Sequence, residues 1–441
     1  MRTLTETSPA AEAIHTVRAV RDIPDFVRLS YVTFVLVALL NHAWFVDLSD
    51  PTPLEAFEGG SLATQLLFGS MLLAGVPLVA RLGLARLRPL ATKPVLIFGG
   101  WLLVTALISG DAMLSLRRLA LYGIAAFLSV SLILVVRSAR QLADAFAMAA
   151  GTILAASYLG LVLVPHLTMH SAYDLTGEIG HNGLWRGIFP HKNEAGMAMT
   201  IIVILGLYVA AVRDRGLGWT LVVSAAIFLV GSGSKTPLFT LAMVLGISLL
   251  FRVIRSRWVR IVLLTGPVLL MMTATIGSIL FPPVRAILDM VMADATFTAR
   301  NEIWSFALDN IAQRPLTGFG FGAFWLTEKT VYGSVVDPDS NWVQTATQAH
   351  NSFLDSMLAM GLPGFAITLV VFILMPLRDY LTRAQDGHTD ASGELFQRLW
   401  QLVLLSASLE TILFNPNTPA FGMIVMAIAG LRLLTERPVI S

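Results

Sequence analysis

The 441-residue chain contains no cysteine. That excludes disulfides, iron–sulfur clusters, thiol nucleophiles and cysteine zinc sites, and leaves the redox compartment open. Charge is scarce as well. Asp, Glu, Lys and Arg make up 13% of the residues, against roughly 25% in soluble domains. The formal net charge of +2 offers no bulk basicity for a nucleic-acid partner. No cleavable leader is visible either: the first 28 residues are polar and mixed in charge, and no small-residue cleavage site follows a short apolar core. They read as a cytoplasmic tail (1–28), with a helical hint only in Ala10–Val20. What remains is hydrophobic: 56% apolar residues and a mean hydropathy of +0.73. Such a chain would expose a prohibitive apolar surface in water, so its solvent is lipid.

Twelve apolar runs, bounded by polar breaks, are long enough to read as membrane spans. They lie near 29–46, 61–80, 94–110, 117–136, 142–164, 195–212, 217–232, 236–252, 259–281, 350–377, 397–414 and 418–434. The expected fold is therefore all-α, a polytopic membrane domain over 29–441 with about twelve transmembrane helices. Arg and Lys give the orientation. Arg81, Arg86, Arg88 and Lys93 share one loop; Arg252, Arg255, Arg257 and Arg260 share another. With Arg137, Arg140, Arg213, Arg215, Arg378, Arg383, Arg398, Arg432 and both tails, every second loop is basic, and these positions hold about two-thirds of all Lys and Arg. Both termini are expected in the cytoplasm of a bacterial inner membrane. The first outside loop carries Asp47, Asp50, Glu55 and Glu58. Two outside loops are long, about 165–194 and 282–349, and loops of that size are often functional. They carry Arg186, Lys192, Arg285, Arg300, Arg314 and Lys329, against the topological bias.

Four clusters stand at the outside face. In Leu184-Trp-Arg-Gly-Ile-Phe-Pro-His-Lys-Asn-Glu-Ala-Gly196, the residues Arg186, His191, Lys192, Asn193 and Glu194 crowd the entry to the sixth span. Pro190 disfavours helix at Phe189, so His191 can sit where that helix begins. A helix N-terminus beside Arg and Lys attracts phosphate; a water-facing interfacial loop is the plainer reading. Gly231-Ser-Gly-Ser-Lys-Thr-Pro237 lacks the spacing of a nucleotide-binding P-loop, which excludes an ATPase. Its backbone N–H groups and Lys235 can still meet an anion, unless Lys235 merely snorkels from an ordinary turn. Thr296-Phe-Thr-Ala-Arg-Asn-Glu-Ile-Trp304 runs on to Asn310, Arg314 and Gly318-Phe-Gly-Phe-Gly322. Arg300 and Trp304 share a helix face there, and the Gly/Phe segment ends the helix. Arg300 is a candidate anion ligand on what also reads as an amphipathic surface helix. Gln348-Ala-His-Asn-Ser-Phe353, followed by Gly361-Leu-Pro-Gly364, places His350 and Asn351 at a helix entry, where His350 is a candidate general base or simply a wetted helix end. A smaller cluster, Ser115-Leu-Arg-Arg118, puts Arg117 and Arg118 at the outer interface, as phosphate contacts or as plain anchors.

No paired carboxylate dominates this set, which argues against a divalent-ion nucleotide-sugar enzyme and a glycosidase acid pair. Basic groups suit a pyrophosphate leaving group, and a His can deprotonate a sugar hydroxyl.

The same residues carry a family likeness. Ser115-Leu-Arg-Arg, Arg186-Gly-Ile-Phe-Pro-His-Lys-Asn, Gly233-Ser-Lys-Thr, Thr298-Ala-Arg-Asn-Glu-Ile-Trp, Arg314-Pro-Leu-Thr-Gly-Phe-Gly and Ala349-His-Asn-Ser-Phe-Leu with Gly361 follow one another in order. Over about 110–365 the chain resembles the O-antigen polymerase and ligase superfamily, most closely the exopolysaccharide polymerases of the Wzy type. The resemblance implies a membrane glycosyltransferase that is inverting and metal-independent, needs no cofactor, and polymerises undecaprenyl-pyrophosphate-linked oligosaccharides at the periplasmic face. His350 matches the catalytic His; Arg300 and Lys235 match the pyrophosphate-binding basic residues, although relatives carry Arg in the Lys235 turn and Lys cannot make Arg's bidentate fork. Arg186 is grouped with those two. His191, Lys192, Asn193, Asn351, Arg117, Arg118 and Arg314 are supporting candidates. The implied partners are the lipid-linked glycan donor and acceptor, the bilayer and a chain-length regulator. Two rivals are an O-antigen ligase delivering glycan to lipid A core or protein, and a polysaccharide transporter or flippase. Transporters place charge near the bilayer midplane, whereas the ionisable groups here collect at one face.

Overall fold

The computed structural model describes residues 23–41, 48, 62–171, 181–291, 300–325, 346–385 and 390–436. The helical hint in Ala10–Val20, the acidic residues from Asp47 to Glu58, the segment 296–299 and Lys329 lie outside the described residues.

Helices account for every named element among the described residues; the only strand-like pairing there is an isolated bridge between Met169 and Trp185. Apart from the single turns Leu84–Leu87 and Pro165–Thr168, in chain order they are α1 (Asp25–Leu40), α2 (Leu62–Leu82), α3 (Lys93–Leu107), α4 (Ala112–Val135), α5 (Ala139–Leu163), α6 (Lys192–Val212), α7 (Arg215–Ser232), α8 (Lys235–Leu250), α9 (Arg257–Leu280), α10 (Pro282–Val291), α11 (Arg300–Gln313), α12 (Ser352–Ala384), α13 (Ala391–Ala407) and α14 (Pro419–Glu436). Each of the twelve apolar runs overlaps one of them. Eight are long and apolar enough to cross a membrane (α2, α4, α5, α6, α7, α9, α12 and α14); α3 and α8 are shorter apolar helices. The chain is a multi-pass membrane protein. Large apolar side chains on the outside of the bundle, such as Leu73 at 76% and Leu270 at 69% exposure, face a solvent that must be apolar.

Helix starts follow side-chain caps. Asp111, Ser138, Asp214 and Asp390 accept from the N–H groups of Leu114, Gln141, Leu217 and Gly393, which stops α4, α5, α7 and α13 from fraying at positions the apolar runs alone leave vague. At the centre, α6 is buried almost throughout and packs on α5, α7, α8, α13 and α14. Its antiparallel neighbour α7 approaches so closely that a Cβ on Gly218 would lie 2.3 Å from the Ala210 nitrogen. Small residues at such crossings let helix backbones touch where lipid supplies no hydrophobic drive.

Two departures from the apolar runs shape the functional end. The run 397–414 does not form one span: α13 ends at Ala407, and residues 408–418 make a polar connection. The run 350–377 is longer than expected, and α12 is broken at Gly361, where φ is 68° and ψ is −174°. A broken helix in a membrane protein must satisfy its freed carbonyls from within. Phe319 N–H donates to Leu358 (2.7 Å), Gly320 N–H to Ala359 (3.1 Å) and the Trp101 indole to Met360 (2.9 Å), while Leu362 N–H donates to Pro315 (2.7 Å). The Gly318–Gly322 segment is thus a wedge in the break, and a Cβ on Gly318 would meet the Leu358 carbonyl oxygen at 2.5 Å. Ahead of it, α11 lies over the start of α12, burying Trp304, Ala307 and Ile311 against Leu354, Met357 and Leu358.

Candidate active site

His350 ends a tight approach to α12 and has φ 48°, the only non-glycine residue with positive φ among the described residues. A left-handed His costs backbone energy and persists only where its surroundings fix it. Those surroundings are dense. Asn351 caps α12, accepting from Phe353 N–H (3.0 Å) and Leu354 N–H (3.2 Å), and donates to the Ser408 carbonyl (3.0 Å). Ser352 Oγ donates to the Glu410 carbonyl (2.9 Å) and accepts from Ile412 N–H (2.8 Å). Asp355, buried one turn on, accepts from the Trp325 indole (2.8 Å), from Ala349 N–H and from the Thr411 hydroxyl. Trp304 donates to the Ala349 carbonyl (2.9 Å), tying in α11. The His350 segment and the 408–413 connection are therefore one hydrogen-bonded unit.

Glu410 is its centre. Its Oε2 lies 3.0 Å from His350 Nδ1, and its Oε1 accepts from Arg300 Nη2 at 2.8 Å. Arg300 Nη1 donates to the Leu409 carbonyl as well. Burial alone would push the Glu410 carboxyl up, yet the hydrogen bond from His350 and the charge of Arg300 hold it down at about 2. An ionised Glu410 can only accept, so it takes the Nδ1–H of the imidazole. That selects the tautomer whose Nε2 lone pair is free to take a proton.

The second wall is the start of α6. His191 caps it by accepting from Asn193 N–H at Nδ1 (3.2 Å), and Lys192 N–H donates to His170 Nε2 (3.1 Å). His170, His181 and His191 pack ring to ring, with centroids 5.0 to 5.7 Å apart. Burial, then the charges of His170, His181 and Lys192, hold the His191 imidazole down at about 3, against an upward pull from Glu410. With Nδ1 spent as an acceptor, the neutral ring carries its proton on Nε2 and has no free lone pair. The neutral His191 ring therefore has no lone pair to spare, whereas His350 keeps one on Nε2. Glu194, in the first turn of α6, is also within electrostatic reach of Glu410.

The Lys235 turn docks on this wall. Ser234 Oγ donates to the Lys192 carbonyl (2.8 Å) and sits 3.3 Å from Asn193 Oδ1. A Cβ on Gly196 would lie 2.7 Å from Ser234 Cβ, so only glycine admits the turn there. Lys235, next in the chain, is exposed and makes no hydrogen bond or ion pair among the described residues.

Four further expected residues make no hydrogen bond or ion pair with the His350–Glu410–Arg300 unit among the described residues. Arg186 is buried, and its guanidinium donates to the carbonyls of Leu167 (3.1 Å), Pro190 (3.4 Å) and Leu48 (3.0 Å). It holds the loop before α6 together, and backbone carbonyls occupy the directions in which it would meet an anion. Arg118 donates to the Gly322 carbonyl and Ser115 Oγ to that of Phe321 (2.8 Å), so this motif clamps the Gly/Phe wedge. Arg117 is exposed beside it. Arg314 lies over the Phe319 ring at the far end of α11, about 20 Å from Arg300 by helical rise.

Residues 219–369 match the family model described as O-antigen ligase, and the matched stretch holds Lys235, Arg300 and His350. This segment, less than half of the chain, supports its likeness to the O-antigen polymerase and ligase superfamily. Its members are membrane glycosyl-transfer enzymes working on lipid-linked glycans. The match ends before Glu410 and begins after Arg186 and His191. No curated protein matches the chain. In superfamily terms, the three residues singled out for chemistry lie inside the matched region, and the carboxylate joining two of them lies outside it.

Proposed function

We propose that this protein polymerises undecaprenyl-pyrophosphate-linked oligosaccharide repeat units into an exopolysaccharide or O-antigen, at the periplasmic face of a bacterial inner membrane. The observation that carries the reading is the His350–Glu410–Arg300 unit at a helix entry, with His350 Nε2 left as a proton acceptor. In this scheme an acceptor sugar hydroxyl loses its proton to His350 Nε2 while its oxygen attacks the anomeric carbon of the donor. The bond from that carbon to the lipid pyrophosphate breaks, the electron pair leaves with the phosphate, and configuration inverts. Glu410 stabilises the imidazolium that forms, as a carboxylate does in a catalytic dyad. Lys235 supplies a positive charge to the leaving pyrophosphate, and Arg300, held by Glu410, adds its own. The proton on His350 then passes to water. No step calls for a metal or cofactor.

Arg186, Arg118 and Arg314 act in this scheme as positioning groups, Lys192, Asn193 and Asn351 as the frame, and Arg117 as an interfacial contact. Twelve spans with both termini in the cytoplasm fit the alternation of basic loops, and a chain-length regulator fits a polymerase. The matched family's description as ligase favours a second reading, in which the same donor chemistry serves a lipid A core or protein acceptor. Cells lacking the endogenous enzyme and supplied with His350→Ala decide the outline. Accumulated lipid-linked single repeats support polymerisation, accumulated full-length lipid-linked polymer supports ligation, and a normal polymer profile removes both.

A further inference from the structure

At the other end of the bundle lies a cavity of about 600 Å³ that the proposed chemistry does not use. Three helices measure the separation. Ser248 lines the cavity near the end of α8, whose first residue is Lys235; Ala384 lines it at the end of α12, which begins beside His350; Gly393 lines it at the start of α13, which ends three residues before Glu410. Each path covers about 20 Å or more by helical rise. The cavity therefore opens on the opposite membrane face from His350.

Five arginines line it (252, 255, 257, 260 and 383) against one carboxylate, Glu394, which is already paired with Arg398. Two of the five are structural. Arg260 is buried, donates to the carbonyls of Ile254 (2.9 Å) and Phe251 (3.2 Å) and stacks on the Phe251 ring. Arg383 donates to the Leu434 carbonyl (2.6 Å) and pairs with Asp390 (2.9 Å). Arg252, Arg255 and Arg257 are exposed, and their side chains make no hydrogen bond or ion pair among the described residues. Three guanidiniums around one hollow repel one another, so the hollow favours an anion. The flank tells which kind. Val253 at 82%, Trp258 at 75% and Val262 at 63% exposure adjoin these arginines. Indole and aliphatic side chains beside arginines mark the level of lipid headgroups rather than open water.

We propose that this cavity binds the phosphate of an anionic phospholipid headgroup in the leaflet opposite the active site, with Arg252, Arg255 and Arg257 as its ligands. Basic pockets between transmembrane helices on the cytoplasmic side take such headgroups; calling this face cytoplasmic rests on the topology read from the basic loops, while the binding itself does not. The glycerol and acyl ends of the lipid would lie along Phe251 and Leu381, which line the cavity.

The test uses the full chain in phosphatidylcholine nanodiscs titrated with phosphatidylglycerol, with bound lipid read by native mass spectrometry. Each basic residue near such a surface is worth about fivefold, so Arg252→Ala/Arg255→Ala/Arg257→Ala should weaken phosphatidylglycerol retention by on the order of 100-fold. The corresponding triple Lys variant should retain most of it, which separates lost charge from lost fold. Triple-Ala retention equal to the wild type overturns the proposal. So does equal displacement of the lipid by inorganic phosphate, which would make the ligand a soluble anion. Glycosyl transfer by the triple-Ala protein in detergent should persist, so a failure of the lipid site and a failure of the His350 chemistry give different results.

Discussion

Replacing Glu410 by Gln should separate orientation from folding. The carboxylate holds the Nδ1–H of His350 and one N–H of Arg300 at 3.0 and 2.8 Å. A Gln of the same shape can still accept one of these, but it brings an NH₂ group to the other and no negative charge to the imidazolium. Two effects follow. On stability, the carboxyl is held at about 2 against an ordinary 4.5, a difference worth on the order of 3 kcal/mol. Because the folded value is depressed, that contribution is complete above the unfolded pKa and is lost as pH falls from about 4.5 towards about 2. At neutral pH the variant should therefore unfold at a lower temperature than the wild type, and the gap should close on acidification. On rate, the loss should approach that of removing the base, roughly 10²–10⁴, or about 3 to 5 kcal/mol at 1.36 per decade. The assay is turnover of a lipid-pyrophosphate donor by purified protein, normalised to the monodisperse folded fraction from size exclusion. The fall should appear in kcat with little change in donor KM, since Lys235 remains. Unchanged kcat in the folded Glu410→Gln fraction would refute the role given to the carboxylate.

Further outcomes follow from the same geometry. Lys235→Arg should keep substantial polymer yield and Lys235→Ala should lose most of it at matched expression, because the position supplies charge first and geometry second; wild-type yield from the Ala variant takes Lys235 out of the site. Gly361→Ala should destabilise the protein by about 2–4 kcal/mol, since φ is 68° and the new Cβ would fall 2.5 Å from the Leu316 carbonyl carbon; thermal unfolding in detergent measures it, and an unchanged midpoint contradicts the wedge. Stability should decline as pH falls below about 6.5, because burial keeps the folded His191 at about 3 while the unfolded one takes up a proton at its ordinary 6.5. His191→Asn, which preserves a good cap, should flatten that decline, and an identical pH profile in the variant argues against it. Alkaline phosphatase fusions near residues 180 and 330 should be active and those near 90 and 388 inactive; an active fusion at 388 breaks the proposed topology.

Much of the architecture was legible because lipid enforces it. A run of apolar residues between polar breaks must hydrogen-bond its own backbone, and every such run does overlap a helix. Arg300 and Trp304 were legible for a similar reason: four residues apart, they share one face of α11, Arg300 meeting Glu410 and Trp304 the Ala349 carbonyl. Glu410 was not. The apolar run 397–414 swallows it, and only the end of α13 at Ala407 exposes it in a connection. A lone carboxylate near the end of an apolar run, followed by Asn415-Pro416-Asn417, was the available signal. The partners of Arg186 were not legible either. Composition identifies a guanidinium but not its partners, and here three backbone carbonyls take it. Arg314 sat within the same motif as Arg300, yet a full helix separates them. The break at Gly361 was marked by Gly361-Leu-Pro-Gly364, but what fills it comes from Pro315, Phe319, Gly320 and Trp101, in contacts that no local pattern specifies.

In the proposed chemistry His350, oriented by Glu410, is the base that activates the acceptor hydroxyl. Its most direct test compares His350→Ala with His191→Ala, each purified and given a lipid-pyrophosphate donor and acceptor. His350→Ala should still bind donor but turn over roughly 10²–10⁴ more slowly, while His191→Ala should work near the normal rate per folded molecule, because the His191 Nδ1 is already committed to the Asn193 N–H. Normal turnover by His350→Ala together with an inactive, folded His191→Ala would contradict it and move the base to the start of α6.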